Sequence, residues 1–266
     1  MDLMKGKKGI VMGVANDHSL AWGIARELSK QGAEMIFSYQ SDALYKRVKP
    51  LSDSLGGVGL VKCDVTDDES LKALFEEVGQ RFGKIDFIVH AIAFSDRKEL
   101  MGKYVNTSRE NFLRTMDISC YSLTAVCKYA SEYLNDNASI LTLTYIGSEK
   151  VLPNYNVMGV AKAALEASVR YLAMDFGDRG LRINALSAGP IKTLAANGID
   201  DFRYILKWNQ FNSPLRRNTT LEDVGGTGVY LLSDLSSGVT GEVLHTDSGF
   251  HVVGMKVADA PDITKV

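Results

Sequence analysis

The sequence predicts an α/β fold in which parallel strands form one sheet with helices on both of its faces. Short apolar runs alternate along the chain with longer segments whose apolar residues recur at helical spacing. The strands are apolar over most of their length, which is typical of strands buried on both faces of a parallel sheet. Right-handed crossovers then give a doubly wound, Rossmann-type sheet. No linker or repeat divides the sequence, so residues 1–266 are predicted to form a single domain.

The composition is that of an ordinary globular protein. Of the 266 residues, 45% are hydrophobic and 23% are charged, which is enough apolar material for one large core. The formal net charge of −2 gives no field that would attract nucleic acid or an anionic membrane. The N-terminal residues predict no signal peptide, and no apolar run is long enough to span a membrane. Cys63, Cys120 and Cys127 lack metal-ligand spacing and are predicted to be buried thiols, so we expect a reducing, cytoplasmic location.

The first half of the chain predicts four strands and three helices. The strands are Gly9–Gly13, Met35–Tyr39, Val58–Lys62 and Ile85–Ala91. The helices are Leu20–Gln31, a second that Asp42 can cap, and a third that begins at Asp67–Glu69. In the first helix Ile24 and Leu28 recur on one face, which we expect to pack against the sheet.

The second half predicts three more strands, Ser139–Thr144, Leu181–Ala188 and one near Val243–His245. The helices are Arg109–Leu134, Asn154–Phe176 and one that follows Thr220. A helical segment near 191–211, with apolar residues at Ile199, Phe202, Ile205, Leu206 and Phe211, is predicted to cover a substrate slot. An ordinary packed helix would carry the same apolar face, so that alternative stays open.

Residues 13–23 connect the first strand to the first helix, where doubly wound sheets bind their ligands. Gly13 lets the backbone approach a pyrophosphate. Ser19 and Leu20 stand at the helix start, whose free N–H groups and dipole favour an anion. The glycine spacing departs from Gly-x-Gly-x-x-Gly, and a structural turn with two glycines would look similar. We interpret the segment as a nucleotide-binding loop and keep the structural turn as the alternative.

The residues that follow the second and third strands are predicted to contact the adenosine half of a nucleotide. Asp64 and Val65 follow the third strand, and the carboxylate can accept a hydrogen bond from an adenine amino group or cap the next helix. Gln40 ends the second strand, where arginine or lysine would bind the 2′-phosphate of NADP. The next cation along the chain is Lys46, and Asp42 would repel a phosphate. The sequence therefore favours NADH.

The reactive side chains are predicted to follow the fifth strand. Tyr155 and Lys162 lie seven residues apart on one helix, and seven steps of about 100° return a side chain to within about 20° of the same face. Met158 stands where short-chain dehydrogenases have their tyrosine, and Tyr145 stands where they have their serine. Together with Ser187–Ala195, this pattern resembles the enoyl-acyl-carrier-protein reductase branch of the short-chain dehydrogenase/reductase superfamily. The resemblance extends from the first strand to near the C-terminus.

The resemblance implies transfer of hydride from NADH to C3 of a trans-2-enoyl thioester. Tyr155 would donate a hydrogen bond to the enolate oxygen, as an oxyanion hole does. Lys162 would hold the nicotinamide ribose hydroxyls, while Tyr145 and Met158 would line the substrate slot. Relative to Met158, Tyr155 lies three residues or about 4.5 Å back along the helix axis. That displacement suits an oxygen two carbons away from the carbon that receives hydride.

The resemblance also assigns further binding residues. Those implied to contact the nicotinamide amide and the phosphates are Ile191, Thr193, Leu194 and Ala195. Ile92 would pack near adenine or ribose, Ser95 would contact substrate through its backbone, and Phe202 would border the acyl slot. His90 and the other three histidines have no metal spacing, and core or surface roles are expected for them.

The family is associated with acyl carrier protein as the bearer of the enoyl substrate, with type II fatty acid synthesis and with a homotetramer. Two alternatives stay open. A short-chain dehydrogenase acting on a carbonyl or an alcohol would share the fold, the cofactor and the lysine, but Met158 and Tyr145 argue against it. A nucleotide-sensing protein without turnover is the other, and the presence of both Tyr155 and Lys162 argues against that.

Overall fold

The computed structural model describes residues 2–193 and 202–263, and in this part of the chain seven strands form one parallel sheet. The strands are β1 (Lys8–Met12), β2 (Glu34–Tyr39), β3 (Gly59–Lys62), β4 (Ile85–His90), β5 (Leu134–Thr144), β6 (Arg182–Ala188) and β7 (Val243–Thr246). Their order across the sheet is β3-β2-β1-β4-β5-β6-β7. The direction of winding reverses between β1 and β4, and doubly wound sheets bind ligands at such a reversal.

The helices that connect these strands cover both faces of the sheet. They are α1 (Leu20–Lys30), α2 (Asp42–Ser54), α3 (Asp68–Phe82), α4 (Arg97–Leu100), α5 (Arg109–Met116), α6 (Ser122–Ala130), α7 (Asn156–Phe176), α8 (Phe202–Asn212) and α9 (Leu221–Leu232). Each predicted strand and helix described above has a counterpart among them. None of the helices in the described ranges combines the length and the apolar character that a membrane span needs.

Alternation along the strands builds two hydrophobic cores. Val11 and Phe37 point to one face, where α1, α2 and α9 pack. Ile10 and Ile36 point to the other face, where α3, α6 and α7 pack. Strands that are buried on both faces are apolar throughout, which is why the short apolar runs identify a parallel sheet. The predicted Rossmann-type fold is confirmed.

The helix predicted over Arg109–Leu134 is wrong as a single element. After α5 a π-helical turn covers Asp117–Tyr121, in which the Ser122 N–H donates to the Asp117 carbonyl five residues earlier. A short 3₁₀ turn follows α6, and β5 begins at Leu134. Leu134 pairs with Ile85 of β4 before an irregularity, after which regular pairing resumes at Ser139. Tertiary pairing thus places the polar residues 135–137 in a strand that their composition does not predict.

Candidate functional site

Two adjoining cavities open at the carboxyl ends of the strands. The larger has a volume of about 630 Å³ and lies over the ends of β1, β4, β5 and β6. The smaller has a volume of about 270 Å³ and lies over the ends of β1, β2, β3 and β4. Both are lined by Gly13 and by residues 91–94, so they meet where the sheet reverses its winding.

Most of the residues singled out from the sequence line these cavities. In the larger cavity they are Gly13, Ser19, Leu20, Ile92, Ser95, Tyr145, Tyr155, Met158, Lys162, Ile191, Thr193 and Phe202. In the smaller cavity they are Gly13, Gln40, Asp64, Val65 and Ile92. Leu194 and Ala195 lie outside the described residues, as does the part of the predicted covering segment at 194–201.

Two tyrosines and a lysine form the centre of the larger cavity. Tyr155 immediately precedes α7, and Lys162 lies two turns into that helix. The rings of Tyr145 and Tyr155 pack edge to face, with their centroids 5.2 Å apart. A Cβ at Gly147 would lie 2.3 Å from the Tyr155 ring, so glycine at that position makes room for the phenol. Met158 also lines the cavity.

Burial controls the charge of these groups. It raises the pKa of the Tyr155 phenol, with Tyr145 adding to the effect, so the hydroxyl keeps its proton and remains a donor. Burial likewise raises the pKa of Tyr145. Burial lowers the pKa of Lys162 to about 8, against the opposing influence of Glu166. The Lys162 Nζ donates to the carbonyl oxygen of Leu143 at 2.7 Å.

The loop after β1 is shaped to receive an anion. Gly13 has a φ of +99°, and a Cβ there would lie 2.0 Å from the Ala91 carbonyl oxygen, so only glycine fits. The Ser19 hydroxyl accepts hydrogen bonds from the Ala15 and Asn16 N–H groups at 3.0 and 3.1 Å. Because that hydroxyl turns back into the loop, it does not cap the N–H groups that begin α1. A glycine with no room for a side chain, beside uncapped N–H groups, fits the pyrophosphate of a dinucleotide.

The smaller cavity has a polar wall at the ends of β2 and β3. The Gln40 amide donates to Asp64 at 3.0 Å. Burial disfavours the ionised Asp64, but hydrogen bonds from Thr66 and Gln40 outweigh it and hold the Asp64 pKa below its usual range. The alternative role of Asp64 as a helix cap is wrong, because Asp67 caps α3 by accepting from the Glu69 N–H.

The sequence did not identify one further polar residue of the smaller cavity. Arg114 of α5 lines this cavity, and its guanidinium lies 4.6 Å from the centroid of the Phe94 ring. The backbone of Phe94 is fixed by Ser119 of the π-helical turn, whose hydroxyl bonds both its N–H and its carbonyl. Arg114 is remote in sequence from Gln40, so proximity along the chain gave no signal for it. A cation therefore lines the same cavity as Gln40.

Ser95 and His90 are fixed by hydrogen bonds within the protein. The Ser95 hydroxyl accepts from Asn111 and Thr115 of α5 at 3.1 and 2.9 Å, which leaves its backbone to line the larger cavity. The His90 ring is buried between the hydroxyls of Thr142 and Ser122, each at 2.9 Å. Burial, followed by the charge of Lys162, lowers the pKa of His90 to about 3, so the ring is neutral. Of the core and surface roles that the sequence left open for His90, the structure shows the core role.

Known proteins share the sequence and the fold of this chain. A family model described as enoyl-(acyl carrier protein) reductase matches residues 13–251. The chain is 64% identical over 262 residues to enoyl-[acyl-carrier-protein] reductase [NADH] 1 of Rhizobium meliloti (strain 1021), covering 98% of this chain and 96% of that protein.

Two solved structures share the fold over nearly their full length. The enoyl-(acyl-carrier-protein) reductase of Anaplasma phagocytophilum in complex with NAD has a TM-score of 0.93 at 57% identity, covering 98% of this chain and 97% of that chain. The Bacillus cereus enoyl-acyl carrier protein reductase with NADP+ and indole naphthyridinone has a TM-score of 0.94 at 52% identity, covering 96% and 100%. A family match over most of the chain and relatives of this identity establish that the chain belongs to the enoyl-(acyl carrier protein) reductase family.

Proposed function

We propose that this chain is an NADH-dependent enoyl-acyl-carrier-protein reductase that converts a trans-2-enoyl thioester to the saturated acyl thioester in fatty acid elongation. The observation that carries this proposal is the pair Tyr155 and Lys162, which line one cavity from positions about two turns apart, immediately before α7 and within it. Met158 lies between them, where a ketoreductase has its tyrosine, and a thioether cannot donate a proton. The printed names of the relatives support the same activity.

The two cavities together would hold the cofactor. Gly13, Ser19 and Leu20 would hold the pyrophosphate at the start of α1. On the adenosine side, Asp64 would accept from the adenine amino group, with Val65 and Ile92 against the ring and Gln40 beside the ribose. At the other end, the residues that would surround the nicotinamide and its ribose are Lys162, Ile191, Thr193, Leu194 and Ala195.

When bound, NADH would supply the hydride that adds to C3 of the enoyl thioester, and a proton taken up at C2 would complete the saturated thioester. Tyr155 donates a hydrogen bond to the thioester oxygen, where negative charge builds as the double bond is reduced. The raised pKa of its phenol makes Tyr155 a donor rather than a base at neutral pH. The cationic Lys162 binds the ribose and stabilises the developing anion. Tyr145 holds the Tyr155 ring edge to face and lines the slot, with Ser95 and Phe202 farther along it.

The substrate is delivered by acyl carrier protein, and α8, which belongs to the predicted covering segment, borders the acyl slot. Phe202, the first residue of α8, lines the larger cavity and supports this arrangement. The three cysteines are buried and unpaired, in keeping with a reducing, cytoplasmic location. The enzyme assembles as a homotetramer.

The test of this function is an assay of NADH oxidation with two thioesters. We expect turnover with a crotonyl thioester, faster on acyl carrier protein than on coenzyme A, and little turnover with an acetoacetyl thioester. A preference for the acetoacetyl substrate would favour a carbonyl reductase instead. Tight NADH binding without turnover of either thioester would favour a nucleotide-sensing protein.

A further inference from the structure

A second polar contact joins α7 to the end of β5, one helical turn beyond Lys162. The hydroxyl of Thr144, the last residue of β5, donates to the Oε1 atom of Glu166 at 2.5 Å. Lys162 contacts the preceding residue, because its Nζ donates to the Leu143 carbonyl. Thus two successive turns of α7 hold the two residues that immediately precede Tyr145.

Glu166 is a buried carboxylate for which the reaction described above has no use. Its residue is 8% exposed and that of Lys162 is 6% exposed. A buried carboxylate costs free energy unless hydrogen bonds or an opposite charge compensate. A single hydroxyl donor from Thr144 could be matched by a neutral acceptor, so the contact alone does not explain why the residue is acidic. The i, i+4 spacing places Glu166 on the same face of α7 as Lys162.

We propose that Glu166 is a positioning residue, which supplies the negative charge that a buried Lys162 needs and fixes, through Thr144, the strand end that carries Tyr145. The inference rests on the proposed function, because it is the cationic Lys162 that binds the cofactor ribose. The contacts of Glu166 with Thr144 and of Lys162 with Leu143 are made within this chain and do not require the cofactor.

Among the described residues, few charged and titratable groups lie near Lys162. Glu166 lies on the same helix and Tyr155 immediately before it, Cys120 approaches from the π-helical turn, and His90 faces Lys162 from β4. His90 is neutral because burial lowers its pKa to about 3, and Tyr155 keeps its proton. Glu166 has the larger of the two charge effects that raise the Lys162 pKa, the other being that of Cys120. Its carboxylate is therefore the main counter-charge of Lys162.

The direction of the pH effect follows from these charges. Burial lowers the pKa of Lys162 to about 8, so the amine is cationic at neutral pH and loses its charge as the pH rises through that value. Removal of the Glu166 charge would lower this pKa further. The variant would then lose the charge of Lys162, and with it affinity for the cofactor, at a lower pH than wild type.

The test compares wild type with Glu166→Gln, which keeps the size of the side chain and an acceptor for Thr144 but removes the charge. Competitive acylation of the cofactor-free protein, analysed by mass spectrometry at Lys162 across a pH series, reads the Lys162 pKa without catalysis. We expect the midpoint to fall by about one pH unit. The alkaline loss of NADH affinity, followed by fluorescence, should move by the same amount. The matched control is Asp175→Asn, the same charge change at an exposed site of α7, where the midpoint should stay.

A folded Glu166→Gln protein with the wild-type midpoint would overturn the proposal. If that variant does not fold, Glu166→Asp carries the test, because it keeps the charge but withdraws it from Thr144. We expect its midpoint to stay close to that of wild type, and a fall of about one unit would overturn the proposal. Acylation requires neither NADH nor thioester, so the Lys162 pKa can be measured even in a protein without enzymatic activity. Inactivity toward enoyl thioesters would refute the proposed function but would not affect this measurement.

Discussion

Among single residues, Tyr155 has the clearest proposed role, as the donor to the thioester oxygen. Tyr155→Phe removes only the hydroxyl, so we expect the turnover number to fall by about 10²–10³, less if Tyr145 compensates. NADH affinity should be nearly unchanged. Steady-state kinetics with a crotonyl thioester, together with a fluorescence titration of NADH, separate the two effects. Wild-type turnover in the variant would refute the oxyanion role.

Lys162 is expected to act mainly on the cofactor. Lys162→Ala removes a buried cation whose Nζ also holds the Leu143 carbonyl. The Michaelis constant for NADH should rise by roughly tenfold or more, which corresponds to the loss of one charge-assisted hydrogen bond. The variant's NADH dissociation constant should rise in parallel. Normal NADH binding with no turnover would show that Lys162 acts on the substrate instead.

Cofactor choice depends on the end of β2. Gln40 offers an amide where a 2′-phosphate would need a cation. The interaction of NADPH with the enzyme should therefore be weaker than that of NADH by about 1.5–3 kcal/mol, which is a preference for NADH of roughly ten- to a hundredfold. Gln40→Arg should narrow that gap by supplying a bidentate partner for the phosphate. The measurement is kcat/KM with each cofactor.

Arg114→Ala is the informative control for this prediction, because Arg114 is a cation that lines the same cavity as Gln40. It should leave the ratio of NADH to NADPH unchanged if Arg114 does not reach the ribose. Equal use of both cofactors by the wild type, abolished in Arg114→Ala, would instead assign the phosphate to Arg114.

At the scale of secondary structure, the turn from β1 to α1 depends on Gly13. Gly13→Ala would place a methyl group against the Ala91 carbonyl at a positive φ that alanine tolerates poorly. We expect the free energy of unfolding to fall by about 1–3 kcal/mol and NADH affinity to fall with it. Denaturant unfolding and NADH titration test this.

Gly226→Ala is the matched control, since Gly226 lies within α9 and a Cβ there would meet nothing within 4 Å. It should be neutral or stabilise the protein by about 0.5–1 kcal/mol, because alanine favours a helix over glycine. A Gly13→Ala variant as stable as Gly226→Ala would mean that the loop relaxes without strain.

The elements show what the sequence could predict and what it could not. Apolar periodicity located the strands and most helices, because packing on a parallel sheet requires that pattern. The shared orientation of Tyr155 and Lys162 could be predicted from helical geometry, because both residues belong to one continuous segment of the sequence. The place of Arg114 in the site could not be predicted in this way, because Arg114 and Gln40 line one cavity only as a result of the order of the strands in the sheet. Glu166 could have been found from its i, i+4 spacing to Lys162, but its contact with Thr144 depends on how α7 packs.

At the scale of the whole molecule, the outer side of α7 carries exposed apolar residues. Tyr171 and Met174 are 77% and 84% exposed, and Val160 lies near the same face of the helix. We expect this face to be covered in the proposed homotetramer. Introducing charge with Tyr171→Glu and Met174→Glu together should therefore shift the mass in solution from a tetramer to smaller species.

The control for this prediction is Val58→Glu, which places a charge at an exposed apolar residue beside β3, at the far edge of the sheet. Light scattering after size exclusion should find its mass unchanged. A wild-type protein that is monomeric, or a double variant that remains tetrameric, would contradict the role of this face.

The π-helical turn at Asp117–Tyr121 is equivalent to one residue inserted into a helix that would otherwise be continuous. A chain one residue shorter at this point would run straight from α5 into α6, and α5 would rotate by about 100° relative to the buried face of α6. Asn111 and Thr115 would then turn away from Ser95, and Arg114 would leave the Phe94 ring. The number of residues between the start of α5 and α6 is therefore constrained more tightly than their identities, and this segment should accept substitutions more readily than a single deletion.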